Sequence, residues 1–552
     1  MRRRFATAAC WLAFACGCAV SRGPALAPDC GCGDTGGCTD PDPPDAGEGI
    51  PGWRMTWAAQ AGGDSTDSFP HDLAFAVAAL ADGTALVSGR YGHEALFGAG
   101  EPNETLLPIF GLEESTGHST NDFVARYDPK GELLWAKGFG GSDWDLFASA
   151  SRQLDDGRIV ALGGYVDQVT VGVGEPNEAT LVADSFGPGG LYSHVLAWMS
   201  AEDGSLDTAV RALDASHNVF LPGMTDLPDD SVAVTGSFSE AIALAPGTPD
   251  ETLLFTTGTS DCDIVLARFG VDGTLLWSAQ AGGPGADATF EIVRLLDGTL
   301  AIAGFFEQTA VFGAGEPNES TLGCDPDLEC GFVAGYDEDG ALLWARSLGF
   351  RAHGRALPRL AAAPDGGFAV TSAFQGVAAL GAGEPNETTL GPVPPEDDHD
   401  FLIARYDDDG ALLWAREITG PSDFLGPSEG NTAVPVSFLD SGQVVIAGQY
   451  EGGPITLGAG EPNETELPFD NKPQIFVALL YANGNLAWAI AQGGPSVCDK
   501  VMSVDALGDD TFFVAGVFGG TVAFGTSPED EVVLTANGDS EIFALRFDRT
   551  EE

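Results

Sequence analysis

Basic side chains are scarce in this chain of 552 residues, which carries 24 Lys and Arg against 82 Asp and Glu. The formal net charge is −58. A nucleic-acid-binding surface needs positive charge to match the phosphate backbone. The composition therefore excludes nucleic-acid binding as a first expectation.

Long apolar runs are missing as well. No uninterrupted stretch reaches the roughly 18 residues that an ordinary membrane-spanning helix needs. The hydrophobic content of 44% nevertheless excludes wholesale disorder. Gly and Pro contribute 75 and 34 residues, a turn-rich composition that argues against a helical protein.

The N-terminus has the pattern of an export signal. Three arginines, residues 2–4, precede an apolar run from Phe5 to Ala15, and Cys16 and Cys18 each follow a small residue. A short apolar core that ends in a small residue and Cys is typical of a bacterial lipoprotein signal, in which the Cys is lipidated. We predict a signal peptide over residues 1–18 and lipidation at Cys18, with Cys16 as the alternative. An ordinary secretory signal, cleaved nearby, stays open.

Residues 19–51 are predicted to form a disordered tether. They are rich in Gly, Pro, Asp and Cys and show no apolar periodicity. Cys30, Cys32 and Cys38 lie in this tether without a second ligand pair at a zinc-site spacing, so local disulfides or unpaired thiols are favoured over a metal site.

The remainder, residues 52–552, repeats one unit seven times. Segments such as DFVARYDPKGELLWAKGFGG at Asp122 and DFLIARYDDDGALLWAREITG at Asp400 recur about every 70 residues. The alanine of the ARY position, or its equivalent, falls at residues 125, 197, 267, 334, 404, 478 and 545. Such regularity is typical of a repeat architecture.

Each unit is predicted to contain four strands. FVARYD alternates in polarity and an acidic-Gly turn links it to LLWAKGF, while a second pair of runs flanks an Asp-Gly turn. Seven such units predict an all-β fold, a seven-bladed β-propeller of four-stranded blades. The chain begins with an isolated outer strand at Arg54 and ends with an isolated third strand at Glu541. We therefore expect an N-terminal outer strand to close the ring with the C-terminal strands.

The repeated signature, with its D-x-F-V-A-[RK]-[YL]-D-x-x-G-x-L-L-W run, a GG pair and an Asp-Gly hairpin reading x-V-x-G, resembles the bacterial SBBP-type β-propeller repeat. The resemblance covers roughly residues 52 to 548. It implies an exported or cell-surface protein, since many members are lipoproteins, and it brings no catalytic residues to carry over. This chain departs from the shorter family repeat by a long insertion between the second and third strands.

The insertions carry a motif of their own, GEPNE, for which an extra hairpin is predicted. Together with the loops that enter the innermost strands, the insertions are expected to form one acidic face. A solvated surface is one interpretation, and weak Ca²⁺ binding is the other, because Ca²⁺ favours carboxylate oxygens on flexible loops. The candidate metal ligands are Glu101, Glu104, Glu175, Glu178, Glu316, Glu319, Glu384, Glu387, Glu461 and Glu464.

Other patterns are assigned to structure. A Trp recurs at one strand position, and packing between blades is favoured over a quinone site. G-x-S-x-G at residues 426–430 lacks the strand-to-helix context of a nucleophile elbow. Cys324 and Cys330 share one insertion and could form a local disulfide.

The sequence thus predicts a non-catalytic lipoprotein of the cell envelope, outer-membrane or surface-exposed, which is held to the membrane by its lipid anchor. Its propeller would act as a binding or scaffold module for an unknown protein or glycan on the acidic face, with no cofactor other than possible Ca²⁺. The alternatives are a propeller-face enzyme, either a hydrolase or a quinone-dependent dehydrogenase, and a purely structural surface component.

Overall fold

The computed structural model of the chain describes residues 52–63, 72–110, 120–141, 148–183, 192–216, 219–258, 262–325, 328–352, 358–391, 400–419, 434–469, 473–493 and 499–550. Within these ranges the secondary structure consists of 42 strands and contains no helix.

The first half of the strands reaches the middle of the chain. They are β1 (Trp53–Gly62), β2 (Leu73–Ala79), β3 (Ala85–Tyr91), β4 (Ala95–Phe97), β5 (Thr105–Leu107), β6 (Asn121–Tyr127), β7 (Leu133–Gly141), β8 (Ala148–Gln153), β9 (Ile159–Val166), β10 (Gln168–Val171), β11 (Ala179–Val182), β12 (Tyr192–Met199), β13 (Leu206–Ala215), β14 (Val219–Asp226), β15 (Val232–Ser239), β16 (Ala241–Leu244), β17 (Thr252–Phe255), β18 (Cys262–Phe269), β19 (Leu275–Ala281), β20 (Asp287–Arg294) and β21 (Leu300–Glu307).

The second half repeats the same order to the C-terminus. These strands are β22 (Thr309–Phe312), β23 (Ser320–Gly323), β24 (Glu329–Tyr336), β25 (Leu342–Ala352), β26 (Arg359–Ala362), β27 (Phe368–Phe374), β28 (Ala378–Leu380), β29 (Thr388–Leu390), β30 (Asp400–Tyr406), β31 (Leu412–Ile418), β32 (Val436–Phe438), β33 (Val444–Tyr450), β34 (Ile455–Leu457), β35 (Thr465–Leu467), β36 (Gln474–Leu480), β37 (Leu486–Gln492), β38 (Lys500–Leu507), β39 (Thr511–Phe518), β40 (Thr521–Phe524), β41 (Val532–Thr535) and β42 (Glu541–Arg549).

Seven antiparallel sheets of four strands form the blades of a β-propeller, so the predicted fold class is confirmed. From the axis outward, blades 1 to 7 are β2-β3-β6-β7, β8-β9-β12-β13, β14-β15-β18-β19, β20-β21-β24-β25, β26-β27-β30-β31, β32-β33-β36-β37 and β38-β39-β42-β1. Neighbouring innermost strands contact one another around the axis.

The ring closes as the two chain ends predict. The N-terminal strand β1 pairs with the C-terminal strand β42, with Trp53 opposite Arg549 and Ala61 opposite Ile542. On its other side β42 pairs with β39. Blade 7 therefore contains strands from both ends of the propeller, and the pairing of β1 with β42 completes its four strands.

The core consists of seven apolar clusters, each between two neighbouring blades. The second strand of a blade is buried on both faces, which explains its continuous apolar runs; β3 and β27 are buried at every residue. Stability therefore comes from blade-to-blade packing around the ring.

The Gly of the x-V-x-G motif admits an irregularity in the innermost strand. Gly89, on the second strand of blade 1, has no side chain to collide with the carbonyl oxygen of Leu73, and β2 bulges between Ala74 and Ala76. The same combination of a close carbonyl and a bulge recurs in blades 3, 4 and 7. Bulges re-aim side chains, so these glycines shape the surface that faces the axis.

Each insertion forms the predicted hairpin, but it packs against the preceding blade. Strand β10, from the insertion of blade 2, pairs with the outer strand β7 of blade 1, with Val169 opposite Gly141. Strands β4 and β16 join β1 and β13 in the same way. Single bridges attach three of the other hairpins, Gly282 to Val311, Thr419 to Thr456 and Gly493 to Ala523, and β28 lies against β25.

This pairing corrects the expectation that the insertions form one face. Each hairpin leaves the side where the chain enters the innermost strands, but its paired strands run along the outer wall. The loop of the β10–β11 hairpin reaches Leu206, at the start of β13, near the opposite side that carries the acidic-Gly turns. The described glutamates of the GEPNE loops therefore lie along the outer strands of different blades.

Candidate functional site

The GEPNE loop clamps the outer strand of its own blade. In blade 4, Glu316 Oε2 accepts a hydrogen bond from the main-chain N–H of Leu342 at 2.7 Å, and Asn318 Nδ2 donates to the carbonyl oxygen of Leu342 at 3.0 Å. Glu319 closes the loop on itself by accepting from Gly315 N at 2.7 Å. Because the hairpin strands lie against the preceding blade, each insertion joins two neighbouring blades.

Five insertions share this arrangement. The first Glu accepts from the outer-strand Leu and the second Glu from a loop Gly, in the sets Glu101–Leu133 and Glu104–Gly100, Glu175–Leu206 and Glu178–Gly174, Glu316–Leu342 and Glu319–Gly315, Glu384–Leu412 and Glu387–Gly383, and Glu461–Leu486 and Glu464–Gly460. The variant loop near residue 250 keeps only the second contact, Glu251 to Gly247.

The ten candidate metal ligands are thus divided among five separate loops. Across the part of the chain that the structure describes, no group of three or more His, Cys, Asp or Glu is arranged to hold a metal ion. The main-chain contacts give a structural reason for the recurrence of these glutamates. Calcium binding at them stays a prediction.

The recurring Trp joins blades on the side of the acidic-Gly turns. Trp277, on the outer strand of blade 3, donates its indole N–H to the carbonyl oxygen of Glu338 at 2.8 Å, within the turn of blade 4. The ring packs on Gly340, where any side chain would collide with it. Arg268 donates to the same carbonyl at 2.7 Å and pairs with Asp229 at 2.8 Å. These contacts favour the predicted packing role over a quinone site.

Three other recurring tryptophans make the same indole hydrogen bond to the next blade, and two lack it. Trp135, Trp344 and Trp414 donate to the carbonyls of Ala201, Asp408 and Ala482. Trp57 packs on Gly131, but its indole N–H, like that of Trp488, has no hydrogen-bond partner among the described residues. Blade 2 has Thr208 at this position, opposite the fully buried Trp198 on the neighbouring strand.

Cys324 and Cys330 are joined by a disulfide whose Sγ atoms are 1.99 Å apart. The predicted lipidation residues, Cys16 and Cys18, lie outside the described residues, as do the three tether cysteines and the G-x-S-x-G segment at 426–430. Within the described ranges, no helix is long and apolar enough to cross a membrane.

A cavity of about 330 Å³ lies on the propeller axis and is lined by the innermost strands of all seven blades. Unlike the clamps, its walls differ from blade to blade. Four charged side chains line it, one each from blades 2, 4, 5 and 7, namely Arg152, Glu291, Arg359 and Asp505. Phe75, Val293, Leu360, Phe438 and Met502 supply apolar surface.

Two of the charges form an ion pair across a blade boundary. Arg359 Nη1 lies 3.1 Å from Glu291 Oε2, and the two side chains are 19% and 17% exposed. The Nε atom of Arg359 is buried without a hydrogen-bond partner among the described residues. The guanidinium therefore keeps unused donor capacity beside the cavity.

Asp505 is fully satisfied by its neighbours. It accepts from Ala79 N at 2.8 Å, from Ser437 Oγ at 3.1 Å and from Ala506 N at 3.0 Å. Burial raises the pKa of Asp505 above its ordinary range, while these hydrogen bonds and the nearby charge of Arg152 lower it. Asp505 thus stabilises the contact of blade 7 with blades 6 and 1 and contributes negative potential near Arg152.

The residues that line the axial cavity are not evident from the repeats, because they lie at positions that differ from copy to copy. Arg152 lies in β8, where the register aligns it with Asp505 in β38, two residues past the bulge in each strand. A charged residue on an innermost strand, at a position that differs in every copy, is the signal that could have identified the channel. The bulges hid the alignment, because they shift which residue faces the axis.

No family model matches the chain, and no curated protein matches it. Among solved structures, it is similar to the crystal structure of a member of the DUF4221 family from Bacteroides vulgatus, with 10% sequence identity and a TM-score of 0.28. The match covers 74% of this chain and 94% of that one. A likeness of this size carries no argument about function.

Proposed function

We propose that this protein is an exported lipoprotein of the cell envelope, related to the SBBP-repeat proteins, which presents its propeller as a non-catalytic binding module. The lipoprotein-type signal over residues 1–18 and the tether over residues 19–51 support the membrane attachment. Both the signal and the tether are inferred from the sequence.

A difference between two groups of side chains supports a binding role: the repeated residues join strands and blades, whereas the residues around the axial cavity are not repeated. The repeated Glu, Asn, Trp and Arg residues contact the outer strand of their own blade or the turn of the next one. The residues that line the axial cavity differ between blades, and they include four charges in a space of about 330 Å³. Ligand sites are typically concave and supplied with a few placed polar groups, and this cavity has both features, with more polar than apolar surface on its wall.

The attachment is tested by labelling. The full chain is expressed with its own N-terminus in a bacterial host fed radioactive palmitate, and the membranes are separated on a density gradient. The wild type is expected to carry the label and to sediment with the outer membrane. The double variant C16S/C18S should lose the label and leave the membrane fraction, whereas C30S/C38S should behave as the wild type. Retention of C16S/C18S in the membrane would exclude the lipid anchor.

A further inference from the structure

In the axial cavity, the two arginines have N–H donors that no described residue accepts from. Arg152 makes one hydrogen bond, from Nη1 to the main-chain oxygen of Ser151 at 2.9 Å, and it has no carboxylate within ion-pair distance among the described residues. Arg359 donates from Nη1 to Glu291, and its buried Nε has no partner in the part of the chain that the structure describes. Each guanidinium has five N–H donors, so both retain most of their capacity.

The two acids that line the cavity, Asp505 and Glu291, do not accept hydrogen bonds from these remaining donors. All three acceptor contacts of Asp505 come from Ala79, Ser437 and Ala506, and Glu291 pairs with Arg359 alone. Arg152 and Arg359 both line the cavity. An acceptor bound there could therefore engage the guanidinium donors that neither Ser151 nor Glu291 uses.

The wall chemistry narrows the class of ligand. Guanidinium groups bind planar carboxylates through two parallel hydrogen bonds, and these charge-assisted bonds are among the strongest in proteins. Phe75, Phe438, Leu360 and Met502 supply apolar parts of the wall, and Ser437 and Ser503 also line the cavity. A volume of about 330 Å³ lies at the small end of ligand pockets, so it fits a compact molecule.

We propose that the axial channel binds a small organic carboxylate with an apolar body, whose carboxylate is held by Arg152 and Arg359. This inference rests on the proposed binding role of the propeller and specifies its ligand class, but it does not depend on the lipid anchor.

The test is isothermal titration calorimetry on the purified full chain. Benzoate is the probe, benzamide is its uncharged analogue of the same shape, and inorganic phosphate is an anion without an apolar body. Benzoate is expected to bind at least ~10-fold more tightly than benzamide, because the amide loses the charge-assisted contacts. Phosphate should bind more weakly than benzoate.

Variants then locate the site. R152Q should weaken benzoate binding by ~10-fold or more with little change in fold, since Arg152 holds only a main-chain oxygen. R359Q should weaken it as well, and thermal melts report whether loss of the Glu291 pair also destabilises the blade. R158Q is the matched control and should bind as the wild type, because Arg158 lies in the turn between β8 and β9, pairs with Asp156 and Asp207, and is not part of the cavity wall.

The absence of binding heat with benzoate up to about 10 mM, a range that covers weak millimolar binding, would overturn the proposal. Equal affinity for benzamide, or unchanged benzoate affinity in a folded R152Q variant, would also overturn it. Tighter binding of phosphate than of benzoate would reject the carboxylate class. Failure here with an intact palmitate label would refute the channel ligand alone, whereas loss of the label in the wild type would refute the anchor alone.

Discussion

The carboxylate of Glu316 and the main-chain amide of Leu342 are joined by a hydrogen bond of 2.7 Å, and four other insertions repeat it. Each bond fixes the tip of an insertion to the outer strand of its own blade, while the strands of that insertion lie on the preceding blade. The GEPNE motif is therefore a connection between neighbouring blades.

Loss of this clamp is expected to destabilise the propeller. Glu316→Ala leaves the half-buried amide of Leu342 without its acceptor, so the free energy of unfolding should fall by about 1–2 kcal/mol. Urea denaturation measures the change. The control in the same loop is Glu319→Ala, because Glu319 is exposed and binds only Gly315, and it should cost less than about 1 kcal/mol. Equal losses in both variants would contradict the clamp.

The Trp contact has a matched pair within the chain. Trp277→Phe removes the hydrogen bond to Glu338 together with part of the ring, whereas Trp488 has no partner for its indole N–H among the described residues. Trp277→Phe should therefore destabilise the protein by about 1 kcal/mol more than Trp488→Phe. Thermal melts of the two variants check this difference, and a larger loss for Trp488→Phe would show that ring packing alone decides.

Closure of the ring depends on the last strand. Deletion of residues 541–552 removes β42, which pairs with both β39 and β1, and should expose two strand edges. We expect the free energy of unfolding to fall by several kcal/mol and the truncated protein to aggregate. Size-exclusion chromatography and thermal unfolding test this. A shorter deletion, residues 551–552, leaves β42 whole and is expected to stay monomeric. A monomeric 541–552 deletion with an unchanged midpoint would exclude closure as a source of stability.

Glu329 makes stability depend on pH. Burial, and then the nearby charge of Glu307, raise its pKa from 4.5 to about 7, against the opposing effect of Arg351. The folded state therefore binds this proton more tightly than the unfolded state, so stability falls as the pH rises from 4.5 to about 7 and changes no further above that value.

Glu329→Gln should remove this dependence. The variant is expected to be more stable than the wild type at pH 8 by roughly 1–3 kcal/mol, with the difference vanishing below the ordinary Glu pKa of about 4.3. Denaturant melts at a series of pH values measure it. Asp339→Asn, which removes a carboxylate from the exposed turn after β24, serves as the control variant. A wild-type slope that persists in Glu329→Gln would assign the dependence to other groups.

The sequence by itself determined the number of blades, their four strands and the closure. Each follows from local chemistry: the aromatic and β-branched residues of FVARYD, the Gly of the acidic turns, which adopts a positive φ such as 85° at Gly131, and the complementary strands at the two chain ends. These features depend on residues that are close in the sequence. They can therefore be predicted without knowing which residues are in contact in the folded protein.

Tertiary structure alone decided which blade each insertion contacts and which side chains face the axis. A hairpin sequence does not specify the outer strand it will join, since Val169 meets Gly141 only when the blades are stacked in a ring. The bulges of the innermost strands likewise re-aim individual side chains by one position. Arg152 and Arg359, far apart in the chain, share one cavity because closure brings seven innermost strands to a common axis.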